Sequence, residues 1–229
     1  MFGVELQSSD LVATSYAGLT VATIATAALT LLGLSWIAER WRVAVALAGV
    51  ALLASAFAYY SATHVWLATQ KVSVASRYVA WFTVQPLQVA AVYFFVYTLK
   101  PVPAGVFWRT VAAAILMVLS RYCGEAGIFN PTLGVLLSIA FWLYILGEMY
   151  FGSMSEVVIG SSRPIRLGYF WIRLILTIGW VLYPILYFAD LVVGAGQSHA
   201  IAVLYSLADL INLITVSLIV LAVASQERY

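Results

Sequence analysis

Seven apolar runs divide this 229-residue chain, each close to or longer than the roughly 20 residues a helix needs to cross a bilayer. They lie at about 11–38, 43–64, 76–99, 104–127, 131–153, 165–193 and 201–225, by the same ruler. The breaks are Glu39-Arg40-Trp41-Arg42, Lys100-Pro101-Val102-Pro103, Asn130-Pro131, Arg163-Pro164 and Gly194-Ala195-Gly196. Proline after Asn130 suits the first turn of a helix. Hydrophobic residues make up 64% of the chain and charged residues only 9%, against roughly 25% charged in a soluble domain. Such a chain cannot clothe a water-soluble globule, so a soluble enzyme is excluded. A net charge of +2 excludes a nucleic-acid binder as well. The expectation is an all-α integral membrane protein, a seven-helix bundle forming one domain over residues 1–229.

The first ten residues lack the basic region of a signal peptide and carry Glu5 and Asp10, so the first run reads as a retained helix. Cys123, the one cysteine, cannot form an internal disulfide and reads as a small buried packing residue. Arg40, Arg42, Lys100, Arg109, Arg163, Arg166, Arg173 and Arg228 gather on one side of a seven-span topology. The positive-inside rule makes that side cytoplasmic, with the N-terminus outside and the C-terminus in the cytoplasm. The expected location is the cell membrane.

Ionisable residues inside spans are costly and mark candidate functional positions. They are Arg77, Arg121, Glu125, Glu148, Arg173 and Asp209. Arg121 and Glu125 are four apart and can pair on one helix face. Glu148 reads as a capped or paired carboxylate ahead of a proton-accessible group, and Arg173 as a side chain snorkelling to the cytoplasmic surface. Arg77 and Asp209 fall where the interior of the bundle lies, and each is the simplest partner for the other, with water between them. His64 and His199 sit at span ends and are expected at the interface. With no nucleophile–base arrangement, metal cluster or phosphate loop, no enzyme is expected.

Several segments resemble the microbial rhodopsins, in order and in register. Arg77-Tyr78-Val79-Ala80-Trp81 through Pro86 is similar to their third-helix motif. Gly124-Glu125-Ala126-Gly127-Ile128 resembles the end of the fourth helix in the proteorhodopsin branch. Leu143-Tyr144-Ile145-Leu146 resembles the fifth helix, Trp180-Val181-Leu182-Tyr183-Pro184 with Tyr187 the sixth, and Leu207-Ala208-Asp209 the seventh. The resemblance implies that Trp81, Trp180, Tyr183 and Tyr187 line a retinal slot, with Asn212 and Leu213 at its seventh-helix wall. It implies that Tyr60 and Tyr183 hydrogen-bond Asp209, with Arg77 completing the polar end. Pro86 and Pro184 match the family's helix kinks.

The departures from the family pattern carry more weight. The family's retinal-binding lysine stands four residues after the seventh-helix aspartate, and that position here is Leu213. Asn212 beside it is an amide and cannot form an imine. The chain has two lysines, Lys71 and Lys100, both in connecting segments. The primary proton-acceptor position is Ala80, the hydroxyl position one turn on is Val84, and the cytoplasmic donor position is Ala91. A pump needs a base on each side of a switchable proton, so a retinal Schiff base and proton pumping are not expected.

The leading expectation is a membrane protein that binds retinal, another retinoid or a carotenoid without a covalent bond, or senses light. A second is a structural or regulatory opsin subunit with no ligand, assembling with itself or with a lysine-bearing rhodopsin. A passive ion channel ranks last. Gly134-Val135 lies where some family members open a window for a carotenoid, although a small residue there also serves close helix packing. Gln85 and Gln88 add polar groups to the third helix that could bond a ligand, a neighbouring helix or an interprotomer face. The expected surroundings are the lipid bilayer and a homo-oligomer, with no metal.

Overall fold

The computed structural model describes residues 10–72, 74–193 and 199–227. Glu5, the Gly194-Ala195-Gly196 break and Arg228 lie outside the described residues. The helices are α1 (Leu11–Gly33), α2 (Arg42–Thr69), α3 (Val74–Tyr97), α4 (Ala104–Glu125), α5 (Pro131–Phe151), α6 (Ser153–Ile159), α7 (Arg163–Val193) and α8 (His199–Gln226), with a 3-10 turn at Glu39–Trp41 leading into α2. Among the described residues seven spans are long and apolar enough to cross a membrane, the short α6 continuing α5. α1 stops at Gly33 rather than near Ala38, because the amides of Leu34, Ser35 and Trp36 turn back to Leu31, Leu32 and Gly33. α2 runs past His64 to Thr69, where Gln70 takes a left-handed φ of 54° and its amide bonds the Trp66 carbonyl.

Helix ends follow the side chains that can satisfy their free amides. Asn130 accepts from the amides of Thr132 and Leu133 at 2.9 and 3.4 Å, with Pro131 at the first turn of α5. Asp10 caps α1 through the Ala13 amide at 3.0 Å and also accepts the Trp66 indole N–H at 2.7 Å, tying α1 to the end of α2. Burial favours the protonated form of Asp10, but these donors outweigh it and hold the carboxyl below its ordinary value.

Consecutive helices pack side by side and α8 closes the ring against α1, while touching α2 and α3 on the inner side. Large apolar side chains such as Phe57 and Phe151 remain on the outside, as a lipid solvent allows. Threonines in the interior, Thr20, Thr23 and Thr30 among them, return their hydroxyls to their own helix carbonyls. Cys123 is half-buried rather than buried, because it lies in the last turn of α4.

α4 and α5 approach backbone to backbone. A Cβ on Gly134 would lie 2.6 Å from the Ser120 carbonyl oxygen and 3.0 Å from the Gly124 Cα. Gly134 is therefore filled by α4 and serves close packing, not a lateral window. Gly134→Ala is expected to cost about 1–3 kcal/mol, because the obstacle is backbone that cannot rotate away. Gly147→Ala on the same helix meets open space and is expected to gain about 0.5–1 kcal/mol from helix propensity. Thermal unfolding of both variants in one detergent checks the contrast.

Candidate functional site

Asp209 lies mid-way along α8 and is 4% exposed. A carboxyl so placed requires donors, and three helices provide them. The Tyr59 hydroxyl from α2 donates to Oδ2, and the Tyr183 hydroxyl from α7 donates to Oδ1 at 2.5 Å. The Trp81 indole N–H from α3 reaches Oδ2 at 3.5 Å. Asn212 Nδ2 donates to the Tyr183 hydroxyl at 3.0 Å, and Gln88 Nε2 donates to the Asn212 carbonyl at 2.9 Å. Gly179 on α7 makes room for this arrangement: a Cβ there would fall 1.7 Å from Asn212 Oδ1.

The α2 tyrosine on Asp209 is Tyr59, not Tyr60. One residue along a helix turns the side chain by about 100°, which sends Tyr60 outward, 53% exposed and edge-on to His64 at 4.5 Å. Tyr59→Phe is expected to lower stability by about 1–3 kcal/mol, since it strips a donor from a buried carboxyl. Tyr60→Phe is expected to stay within about 0.5 kcal/mol of the parent. Denaturation midpoints of the two variants measure the difference.

Arg77 does not pair directly with Asp209. Among the described residues the ion pairs are Arg109–Glu148 at 3.0 Å and Arg121–Glu125 at 3.2 Å. The Arg77 guanidinium lies over the Tyr205 ring, 4.2 Å from its centroid, with the Trp81 ring at 5.9 Å. Neutral donors already serve Asp209, and the aromatic faces take the cation. Arg77 and Asp209 do share one cavity of about 30 Å3 with Tyr16, Tyr59 and Ser206, enough for water between them.

Arg121 forms the pair with Glu125 but sits deeper than a surface pair, at 5% exposure. Its guanidinium donates to the Tyr205 hydroxyl at 3.1 Å and the Tyr183 carbonyl at 3.4 Å, and stacks over the Tyr187 ring at 4.4 Å. Tyr205 in turn donates to the Tyr183 carbonyl at 3.3 Å. Glu148 is a paired carboxylate, held by Arg109 and by the Tyr144 hydroxyl at 3.4 Å. Arg173 stacks on the rings of Tyr150 and Tyr169 at 4.6 and 5.0 Å instead of snorkelling outward. His199 lies edge-on to Trp66.

A second cavity, of about 40 Å3, lies between α3, α4, α5 and α7, lined by Trp81, Gln85, Met117, Trp142, Trp180 and Tyr183. Trp81, Trp180 and Tyr183 are thus brought together as the sequence implies. Tyr187 is not on this wall: it lies one turn beyond Tyr183, beneath Arg121. Asn212 and Leu213 do not line it either. Asn212 is buried against Gly179 and Tyr183, and Leu213 packs with Ala27, Leu52 and Val84 in an apolar cluster. Ala80 lines the Asp209 cavity and a lipid-side groove with Ala54 and Val79, and Ala91 is fully buried. Lys71 and Lys100 are both exposed in connecting segments. Met117 and Trp142 are wall residues that sequence reasoning missed. Trp142 directly precedes the fifth-helix segment Leu143–Leu146, and its indole N–H ties α5 to the Leu176 carbonyl at 3.0 Å.

The family model of the bacteriorhodopsin-like proteins matches residues 10–226. The chain belongs to the bacteriorhodopsin-like family. It is 27% identical over 227 residues to the blue-light absorbing proteorhodopsin of Gamma-proteobacterium Hot 75m4, spanning 98% of this chain and 90% of that one. Identity to the green-light absorbing proteorhodopsin of Gamma-proteobacterium EBAC31A08 is 25% over 226 residues, covering 98% and 91%. Among solved structures, the blue light-absorbing proteorhodopsin from Med12 superposes with a TM-score of 0.81 at 26% identity, covering 95% of this chain and all of the other. Exiguobacterium sibiricum rhodopsin has a TM-score of 0.84 at 20% identity, covering 95% and 97%, and shares the fold. The family frame thus extends over residues 10–226, and the residue four after Asp209 on α8 is Leu213.

Proposed function

We propose that this chain binds a retinoid or carotenoid in its aromatic cavity without a covalent bond, forms no retinal Schiff base and pumps no protons. It acts as a light-sensing or ligand-handling membrane protein and not as an enzyme. The observation that carries this reading is the apolar packing of Leu213 against Ala27, Leu52 and Val84, where an imine nitrogen and its water would have to stand. Ala80, Val84 and Ala91 leave no carboxyl along α3 to exchange a proton, and the two lysines are exposed between helices. Trp81, Trp142 and Trp180 supply faces for a polyene, and Asp209, Tyr59 and Arg77 form a polar cavity on the other side of Trp81. The bundle sits in the cell membrane with its N-terminus outside, as the arginines at 40, 42, 163 and 166 favour.

Titration of the purified protein with all-trans-retinal and with retinol, followed by absorbance and tryptophan quenching, tests the reading. A saturable shift at one ligand per chain is the expected result, and none with either ligand overturns it. The size of the cavity, about 40 Å3, favours a second reading, a structural or regulatory subunit without ligand that assembles with itself or with a lysine-bearing rhodopsin. A ring-bearing ligand is larger than this cavity, so its binding requires wall side chains, the flexible Met117 among them, to move apart. Purification as a lone monomer in mild detergent would count against the second reading.

A further inference from the structure

Gln85 stands out among the walls of the aromatic cavity. It is 7% exposed, its Oε1 is fully buried without a hydrogen-bond partner, and it lines the cavity together with Ser138 and the tryptophans. Gln88, one turn further along α3, behaves differently and spends its amide on the Asn212 carbonyl. A buried acceptor left unmade is costly, and a hydroxyl inside the cavity that Gln85 lines can satisfy it. Tyr183, the other polar group beside it, already donates its hydroxyl to Asp209 and accepts from Asn212. Arg121 is committed to Glu125, Tyr205 and the Tyr183 carbonyl. Gln85 Oε1 is thus the fully buried wall atom without a partner, with the Ser138 hydroxyl on the same wall.

We infer that Gln85 is a specificity-determining residue, and that the cavity takes a neutral isoprenoid alcohol whose hydroxyl pairs with the Gln85 amide. This rests on the noncovalent reading above and names the ligand class within it. A hydrocarbon polyene offers nothing to the amide, and an aldehyde offers an acceptor but no donor. A hydroxyl both donates and accepts, so it satisfies the carboxamide whichever way the amide is turned. The aromatic walls hold the apolar body, and Gln85 selects the oxygenated end.

The test compares three probes of one skeleton: all-trans-retinol, all-trans-retinal and the deoxy hydrocarbon that lacks the oxygen. Each is titrated into the full chain in detergent by tryptophan quenching, with Gln85→Leu alongside Gln85→Asn. Retinol is expected to bind about tenfold more tightly than the hydrocarbon, the difference one satisfied buried hydrogen bond makes. Gln85→Leu is expected to abolish that preference while retaining hydrocarbon binding. Gln85→Asn, a shorter amide in the same place, is expected to keep part of it. Equal binding of all three probes to the parent and to Gln85→Leu overturns the inference, with water satisfying the amide, and leaves the aromatic cavity as a polyene site. No saturable binding of any probe overturns the inference and the noncovalent reading together.

Discussion

Leu213→Lys is expected to turn this chain into one that reacts with retinal. The lysine amine attacks the aldehyde carbon, the carbonyl oxygen leaves as water, and borohydride then traps the imine as a secondary amine. Intact mass is expected to rise by one retinyl group in the variant only. Position 213 lies one turn beyond Asp209 on the same face of α8, in the apolar cluster of Ala27, Leu52 and Val84 and off the aromatic cavity's wall, so the adduct forms when retinal extends from that cavity to α8. Asp209 alone is a weak partner for a protonated imine, because Tyr59 and Tyr183 already donate to both of its oxygens. Adding Ala80→Asp places a second carboxyl at the wall of the same cavity. The double variant is therefore expected to hold the imine proton to higher pH than Leu213→Lys alone, read as a visible band persisting further into alkaline solution. Failure of the single variant to form any adduct would show that α8 does not present residue 213 to the ligand.

The second large effect concerns stability. Arg121→Leu is expected to destabilise the bundle by about 1–3 kcal/mol, since the buried arginine is replaced and Glu125, 17% exposed at the end of α4, loses its cation. The same change removes the donors to the Tyr205 hydroxyl and the Tyr183 carbonyl and the cation over the Tyr187 ring. Arg109→Ala breaks the other ion pair, but that arginine's side chain is 58% exposed, and solvent already screens it. Its expected effect on the unfolding midpoint is far smaller. Replacing Glu125 along with Arg121, as Arg121→Leu with Glu125→Gln, is expected to recover part of the loss because no lone charge remains. Unfolding by denaturant in a fixed detergent separates the three. An Arg121→Leu variant as stable as the parent would show that Glu125 finds its compensation elsewhere.

The seven spans were legible because lipid imposes one simple requirement, a long apolar run closed by charge, proline or glycine. The seam of Gly124 and Gly134 was half legible: small residues stood out, but packing and a ligand window look alike until the neighbouring backbone is seen. Asp209, Trp81, Trp180 and Tyr183 converge as the motifs imply. What the chain order could not give is rotation about a helix axis. Tyr59 and Tyr60 are adjacent and identical in chemistry, and only the facing of α2 decides which one meets Asp209. Arg77 and Asp209 share a cavity, yet the choice between an ion pair and a tyrosine ring depends on Tyr205, a residue no motif marks. Tyr187 likewise follows the aromatic pattern of α7 but belongs to Arg121.

Gly179 shows how closely α7 and α8 approach at the site. Its lack of a side chain admits Asn212 Oδ1, which lets the Asn212 amide reach Tyr183 and so fixes the hydroxyl aimed at Asp209. These bonds join α2, α3, α7 and α8 at Asp209, while Asn212 Oδ1 itself is left without a partner.

The measurement that bears most directly on the absence of an imine is the absorbance spectrum of the native chain with all-trans-retinal, followed by hydroxylamine. The expected result is a band in the near-ultraviolet, sharpened by the protein, that organic solvent extracts and hydroxylamine does not convert from a visible species. A red-shifted visible band bleached by hydroxylamine would mean that an imine forms on this chain, and would contradict the reading of Leu213.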